Sequence, residues 1–129
     1  MSTLKVWETP FKQEKFPSIW VNAHGCLDET VIYVGLPAEW QIKFEHPVGL
    51  KVCDESYDKN DRFWIDRDFD DSCSYTWDGS PWLLEFNAEI VKAVEDSEVA
   101  HYVLLGGDYN VEILAYGKVT IDSASKGNP

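Results

Sequence analysis

The stretch that decides the fold is residues 80–116, SPWLLEFNAEIVKAVEDSEVAHYVLLGGDYNVEILAY, where helix, turn and strand signals follow one another without conflict. Ser80 before Pro81 reads as an N-cap and first helical residue, because proline's missing N–H costs nothing where no intrahelical partner exists. Leu83, Phe86, Ile90 and Val94 then recur at three- and four-residue steps, which predicts a helix over 81–95 with one face built for burial. After Asp96-Ser97 the period changes. Residues 99–105 are apolar and rich in β-branched side chains, Gly106-Gly107-Asp108 is a turn signal, and 109–116 resumes an extended pattern, so 99–116 is a β-hairpin. With Gly107-Asp108 as a two-residue loop, Leu104 faces Val111, Tyr102 faces Ile113 and Ala100 faces Ala115, which gathers six apolar residues on one face. A one-residue slip would bring Asn110 and Glu112 to that face instead, so this register is favoured. The helix is expected to cover the apolar face, leaving a mixed opposite face with His101, Val103, Leu105, Asn110, Glu112 and Leu114.

Working outward toward the N-terminus, Leu4-Lys5-Val6-Trp7 alternates and ends at Thr9-Pro10, as an edge strand does, and Ile19-Trp20-Val21 is another short run. Residues 30–34, 41–45 and 50–53 read as an antiparallel meander with one wet face, and His46-Pro47-Val48-Gly49 reads as the turn between its last two strands. Phe63-Trp64-Ile65 and Ser74-Tyr75-Thr76-Trp77 are further strand candidates, and Gly117-Lys118 is a turn or bulge before Val119-Thr120-Ile121. The expected architecture is therefore α+β, a mainly antiparallel sheet with one principal helix packed on a face. It forms a single domain over 1–121, followed by a polar tail at 122–129.

A chain of 129 residues with 44% hydrophobic residues, six of them tryptophan, is long enough to bury a core without staples. Its 23 acidic residues outnumber 11 basic ones for a formal net charge of −12, which repels nucleic acid and anionic membrane and attracts basic partners. Cys26, Cys53 and Cys73 are odd in number and lack the paired spacing of a disulfide framework or zinc site; reduced thiols imply a cytoplasmic setting. No signal segment and no long apolar run is present.

Composition shifts sharply at residues 54–78, where nine carboxylates face three bases, Lys59, Arg62 and Arg67, so half of the excess negative charge sits there. Tyr57, Phe63, Trp64, Phe69, Tyr75 and Trp77 are interleaved with them. Carboxylates steer a basic partner at long range, while Trp and Tyr supply short-range affinity, so Asp58, Trp64, Asp66, Asp68, Asp70, Asp71, Tyr75 and Trp77 are the candidate partner-binding residues. The alternative is that Trp64, Tyr75 and Trp77 face inward and the aspartates solvate the other side.

Asp66, Asp68 and Asp70 alternate like the opening of a calcium loop, but Asp71 stands where that loop needs glycine and Trp77 where it needs glutamate. His24 and Cys26 form one short ligand pair without a second. No nucleophile elbow, phosphate loop or dinucleotide loop occurs. No cofactor, metal or catalytic residue is therefore assigned. His101 and Glu112, on neighbouring predicted strands, are expected to hydrogen-bond to each other.

The small, acidic, tryptophan-rich profile with its acid-aromatic 54–78 stretch resembles bacterial immunity proteins that neutralise toxins. The predicted elements lack the parallel sheet and several helices of the barstar-like fold. The resemblance implies a stoichiometric inhibitor of a basic partner, such as a toxin nuclease domain, held by a charged surface. The competing readings are a small enzyme or ligand-binding protein with a pocket near His101 and Glu112, and a structural protein that forms a homodimer through exposed aromatics.

Overall fold

The computed structural model describes residues 3–14, 17–22, 30–35, 40–54, 72–89, 99–107 and 109–123, apart from the side chains of 54 and 87–89. Seven strands form one antiparallel sheet: β1 (Thr3–Val6), β2 (Ile19–Asn22), β3 (Val31–Val34), β4 (Trp40–Asp54), β5 (Ser74–Asp78), β6 (Ala100–Leu105) and β7 (Tyr109–Ser123). Their order across the sheet is β1-β5-β6-β7-β4-β3-β2. The two short runs read as edge strands, at Leu4 and Ile19, do lie at the two edges.

The β6–β7 hairpin has the register that burial of its apolar set requires: Leu104 opposite Val111, Tyr102 opposite Ile113, Ala100 opposite Ala115. Its turn closes with the Gly106 N–H donating to the Tyr109 carbonyl at 3.0 Å.

The spine of the sheet is the β4–β7 ribbon, two 15-residue strands paired from Trp40↔Ser123 to Asp54↔Tyr109. Residues 46–49, expected to be a turn, instead belong to this continuous strand. The register shifts once between Phe44 and His46 and back between Pro47 and Gly49, so one bulge adds a residue to β7 and the next adds one to β4. Proline and glycine are at home in such a place, since a bulge frees the ladder hydrogen bond that proline cannot make. On β7, Gly117 takes φ 84°, and the Lys118 N–H donates to the Glu45 carboxylate at 2.9 Å. Asp122 and Ser123, assigned to the tail, are the last residues of the strand.

Bulges bend the ribbon, and the bend lets the sheet fold over itself. β5 and β6 continue the sheet beside the first half of β7, whereas β3 and β2 continue it beside the first half of β4. Ile32, Val34, Ile42 and Phe44 from one wing meet Leu104, Val111, Ile113 and Ala115 from the other in a single apolar core. Phe11, 1% exposed, fills this core from the 7–14 connection. That connection is pinned to β5: the Trp7 N–H donates to the Ser74 carbonyl, and Ser74 Oγ donates to the Trp7 carbonyl at 2.9 Å.

The expectation of an α+β fold with a principal helix is overturned, because the described residues are mostly antiparallel sheet. The helix, α1, is a nine-residue segment, Pro81–Glu89. It also lies against the face opposite to the one it was expected to cover. The physical reason is that the folded-over sheet buries its own apolar face, so no helix is needed there. Leu84 shows how loosely α1 follows a single apolar stripe, being 60% exposed beside the buried Leu83.

Candidate functional site

On its second face the hairpin presents His101, Val103, Leu105, Asn110, Glu112 and Leu114, and strand alternation places Tyr75 and Trp77 of β5 and Leu4 of β1 beside them. Leu4, Tyr75, Trp77 and Val103 form a smaller apolar cluster, with Val6 and Leu105 packed against it. Next to this cluster lies a buried polar chain. His101 pairs with Leu114, so its diagonal neighbour across the ladder is Glu112, and His101 Nε2 lies 2.7 Å from Glu112 Oε1. The other ring nitrogen, Nδ1, lies 2.5 Å from Ser80 Oγ.

Ser80 is the N-cap that its position before Pro81 predicts: its Oγ accepts the Leu83 N–H at 3.1 Å. Oγ thus joins the Leu83 N–H and the His101 Nδ1, and the imidazole spans from Ser80 on one side to the Glu112 carboxyl on the other. Around this chain the rings are close-packed. Trp77 stacks on His101 with centroids 5.3 Å apart, and Trp82 meets the same ring edge-on at 5.3 Å. Trp82 lies over Gly49, where a Cβ would fall 2.8 Å from the indole, and Lys51 Nζ sits 4.2 Å above the indole centroid.

A hydroxyl, an imidazole and a carboxylate in hydrogen-bonded series are the components of an acyl-transfer relay. Burial decides against that use in this arrangement. Ser80 is 0% exposed, His101 1% and Glu112 7%, so no acyl group can reach Oγ, and Oγ is already engaged as a helix cap. What the chain does instead is satisfy polar atoms that would otherwise be buried unpaired, at a cost of about 1–3 kcal/mol each. It thereby ties the first turn of α1 to β6 and β7. The hydrogen bond between His101 and Glu112 was legible in the sequence. Ser80 as its third member was not, since nothing in the local pattern says which sheet face the N-cap will meet.

Among the candidate partner-binding residues, Tyr75 and Trp77 are buried, 0% and 1% exposed, so they pack the sheet and offer a partner no surface. This is the inward alternative for β5. Asp58, Trp64, Asp66, Asp68, Asp70 and Asp71 lie outside the described residues, as do His24 and Cys26.

The described residues that bracket 55–71 are held at one end of the sheet. Asp54 pairs with Tyr109 at the hairpin's tip, and on the other side the Cys73 carbonyl accepts the Leu105 N–H at 2.8 Å. Cys73 is anchored further by its own N–H to the Lys12 carbonyl, and its Sγ–H donates to the Phe11 carbonyl at 3.2 Å. Desolvation pushes its thiol up to about 12 from 9.0, so it is an unreactive packing residue.

The described bases are largely engaged at home: Lys5 with Asp78 at 2.9 Å, Lys12 with Glu8, and Lys51 on Trp82. Among the described residues no cluster of three or more His, Cys, Asp or Glu is placed to hold a metal ion, and no helix is long and apolar enough to cross a membrane. Trp20, stacked on Tyr33 at 5.8 Å, and Tyr109 are the exposed large aromatics among the described residues. Comparison with known protein families, curated sequences and solved structures finds no match to this chain.

Proposed function

We propose that the protein is an acidic binding module, a stoichiometric inhibitor of the immunity type that captures a basic protein partner such as a toxin nuclease domain. The observation that carries this reading is the concentration of negative charge. Residues 54–78 hold nine carboxylates against three bases, and the chain enters and leaves 55–71 at the same end of a rigid sheet. Clustered carboxylates on a molecule with net charge −12 accelerate capture of a basic partner and reject acidic ones. With Tyr75 and Trp77 committed to the core, the contact set reduces to Asp58, Trp64, Asp66, Asp68, Asp70 and Asp71.

The test is capture from a lysate of the source organism, eluted by a salt gradient and identified by mass spectrometry. It is followed by titration of the recovered partner against the triple variant Asp68→Lys/Asp70→Lys/Asp71→Lys. The expected result is one strongly basic protein whose affinity falls at least tenfold in the variant, with a flatter salt dependence and an unchanged unfolding transition. Equal affinity for variant and wild type would refute this site. The enzyme reading centred on His101 and Glu112 has the hydrogen-bonded chain in its favour and the burial of Ser80 against it.

A further inference from the structure

We infer that the Ser80–His101–Glu112 chain is a latch, and that α1 opens from the sheet as a unit while the β4–β7 ribbon and the β6–β7 hairpin stay folded. The polar and aromatic ties of α1 to the sheet, among the described residues, come from the cap and first turn: Ser80 to His101, and Trp82 to His101, Gly49 and Lys51. Leu83 is buried and Phe86 half-buried, Leu84 and Glu85 face solvent, and among the described residues neither apolar core cluster contains a residue of α1. The sheet beneath has its own core, built between its two wings, in which no described residue of α1 takes part. An element tied to the sheet through its cap and first turn, beside a core that contains none of its described residues, is the kind of unit that opens below the free energy of global unfolding.

The fastening is also chemically specific. The Ser80 Oγ–Nδ1 hydrogen bond is the link, and His101 passes the connection to Glu112 through Nε2. Opening separates Ser80 from His101, so the hydroxyl-imidazole-carboxylate series exists only in the closed state, where no substrate can reach it. What opening does expose is the patch now under Trp82, made of Gly49, His101 and the edge of Trp77, next to Lys51 and Glu112. The latch thus controls exposure of the Gly49, His101 and Trp77 patch, which is covered in the state described here.

Amide hydrogen exchange on the full chain tests this, in the wild type and in Ser80→Gly. Glycine is tolerated as an N-cap but has no hydroxyl to bond Nδ1, so the variant cuts the link while sparing the helix. In the wild type, α1 amides are expected to exchange faster than those of β6 and β7 but well below the unprotected rate. In Ser80→Gly they should exchange about tenfold faster still, with β6 and β7 unchanged. Exchange of α1 only together with β6 and β7 would overturn the inference, since α1 would then be part of the global unit. Unprotected α1 amides in the wild type, or rates that Ser80→Gly leaves unmoved, would overturn it equally, because no latch would be holding the helix.

Discussion

On one face of the β6–β7 hairpin, Leu104, Val111, Ile113 and Ala115 join an apolar core. On the other, His101 and Glu112 are nearly as deeply buried but meet a serine hydroxyl, two indole rings and each other. The two faces therefore hold the same strands by different physics. The first gains from area removed from water, is non-directional, and depends on volume. The second is directional: it contributes little net free energy while satisfied and becomes costly when one member is lost.

Substitution can separate the two. Ile113→Ala removes buried volume and should lower stability by about 2–5 kcal/mol in urea denaturation, with no second substitution in the hydrogen-bonded chain able to restore it. Glu112→Ala strands the imidazole Nε2 and should cost about 2–3 kcal/mol. The double variant His101→Leu/Glu112→Leu, which removes the buried pair and fills its volume, should cost less than Glu112→Ala alone. Additive losses in the double variant would mean that the second face is held by volume after all, and the contrast would collapse.

A smaller effect is expected at the bend that lets the first face close. Gly117→Ala places a Cβ at a positive φ and against the Glu45 carboxylate that holds Lys118, for a cost of about 1–2 kcal/mol. Thermal melts check it, and an unchanged Tm would show that the bulge is not a constrained position. A pH-dependent effect concerns Cys73, whose thiol is raised to about 12 in the fold from 9.0. The unfolded chain ionises this thiol first, so its contribution to stability is fully present below about pH 9 and is lost as pH rises toward about 12. Tyr102, also raised by burial, acts in the same direction. Urea midpoints of Cys73→Ala and wild type should converge progressively as pH rises above 9 if the thiol is responsible.

The sequence made the hairpin legible because its apolar residues alternate, and only one register hides all six of them. Ser80-Pro81 was legible as a helix start because cap chemistry is local, and Leu4 and Ile19 as edge strands because short runs beside proline have few other places to go. The bulges were not. Pro47 and Gly49 terminate strands as often as they kink them, and the difference lies in β7, some seventy residues away. The side of the sheet chosen by α1 was hidden for a related reason, since the apolar face is covered by the sheet's own other wing. Phe11 gave no signal at all, being one apolar residue among polar neighbours. At the site, Tyr75 and Trp77 illustrate the same limit: an aromatic on a strand next to acidic residues has the same local sequence whether it faces a partner or the core.

The strand order has a consequence for how the molecule comes into being. β7, the last of the described strands, is the one that joins β6 to β4, so the two wings have no backbone ladder between them until it arrives. Until then the earlier strands can pair only within two separate fragments, each with its apolar face uncovered. A chain arrested before residue 109 holds only fragments, β1-β5-β6 on one side and β2-β3-β4 on the other. Nascent chains of this protein are thus expected to depend on holding chaperones up to the moment β7 emerges, and then to fold in one late, non-local step.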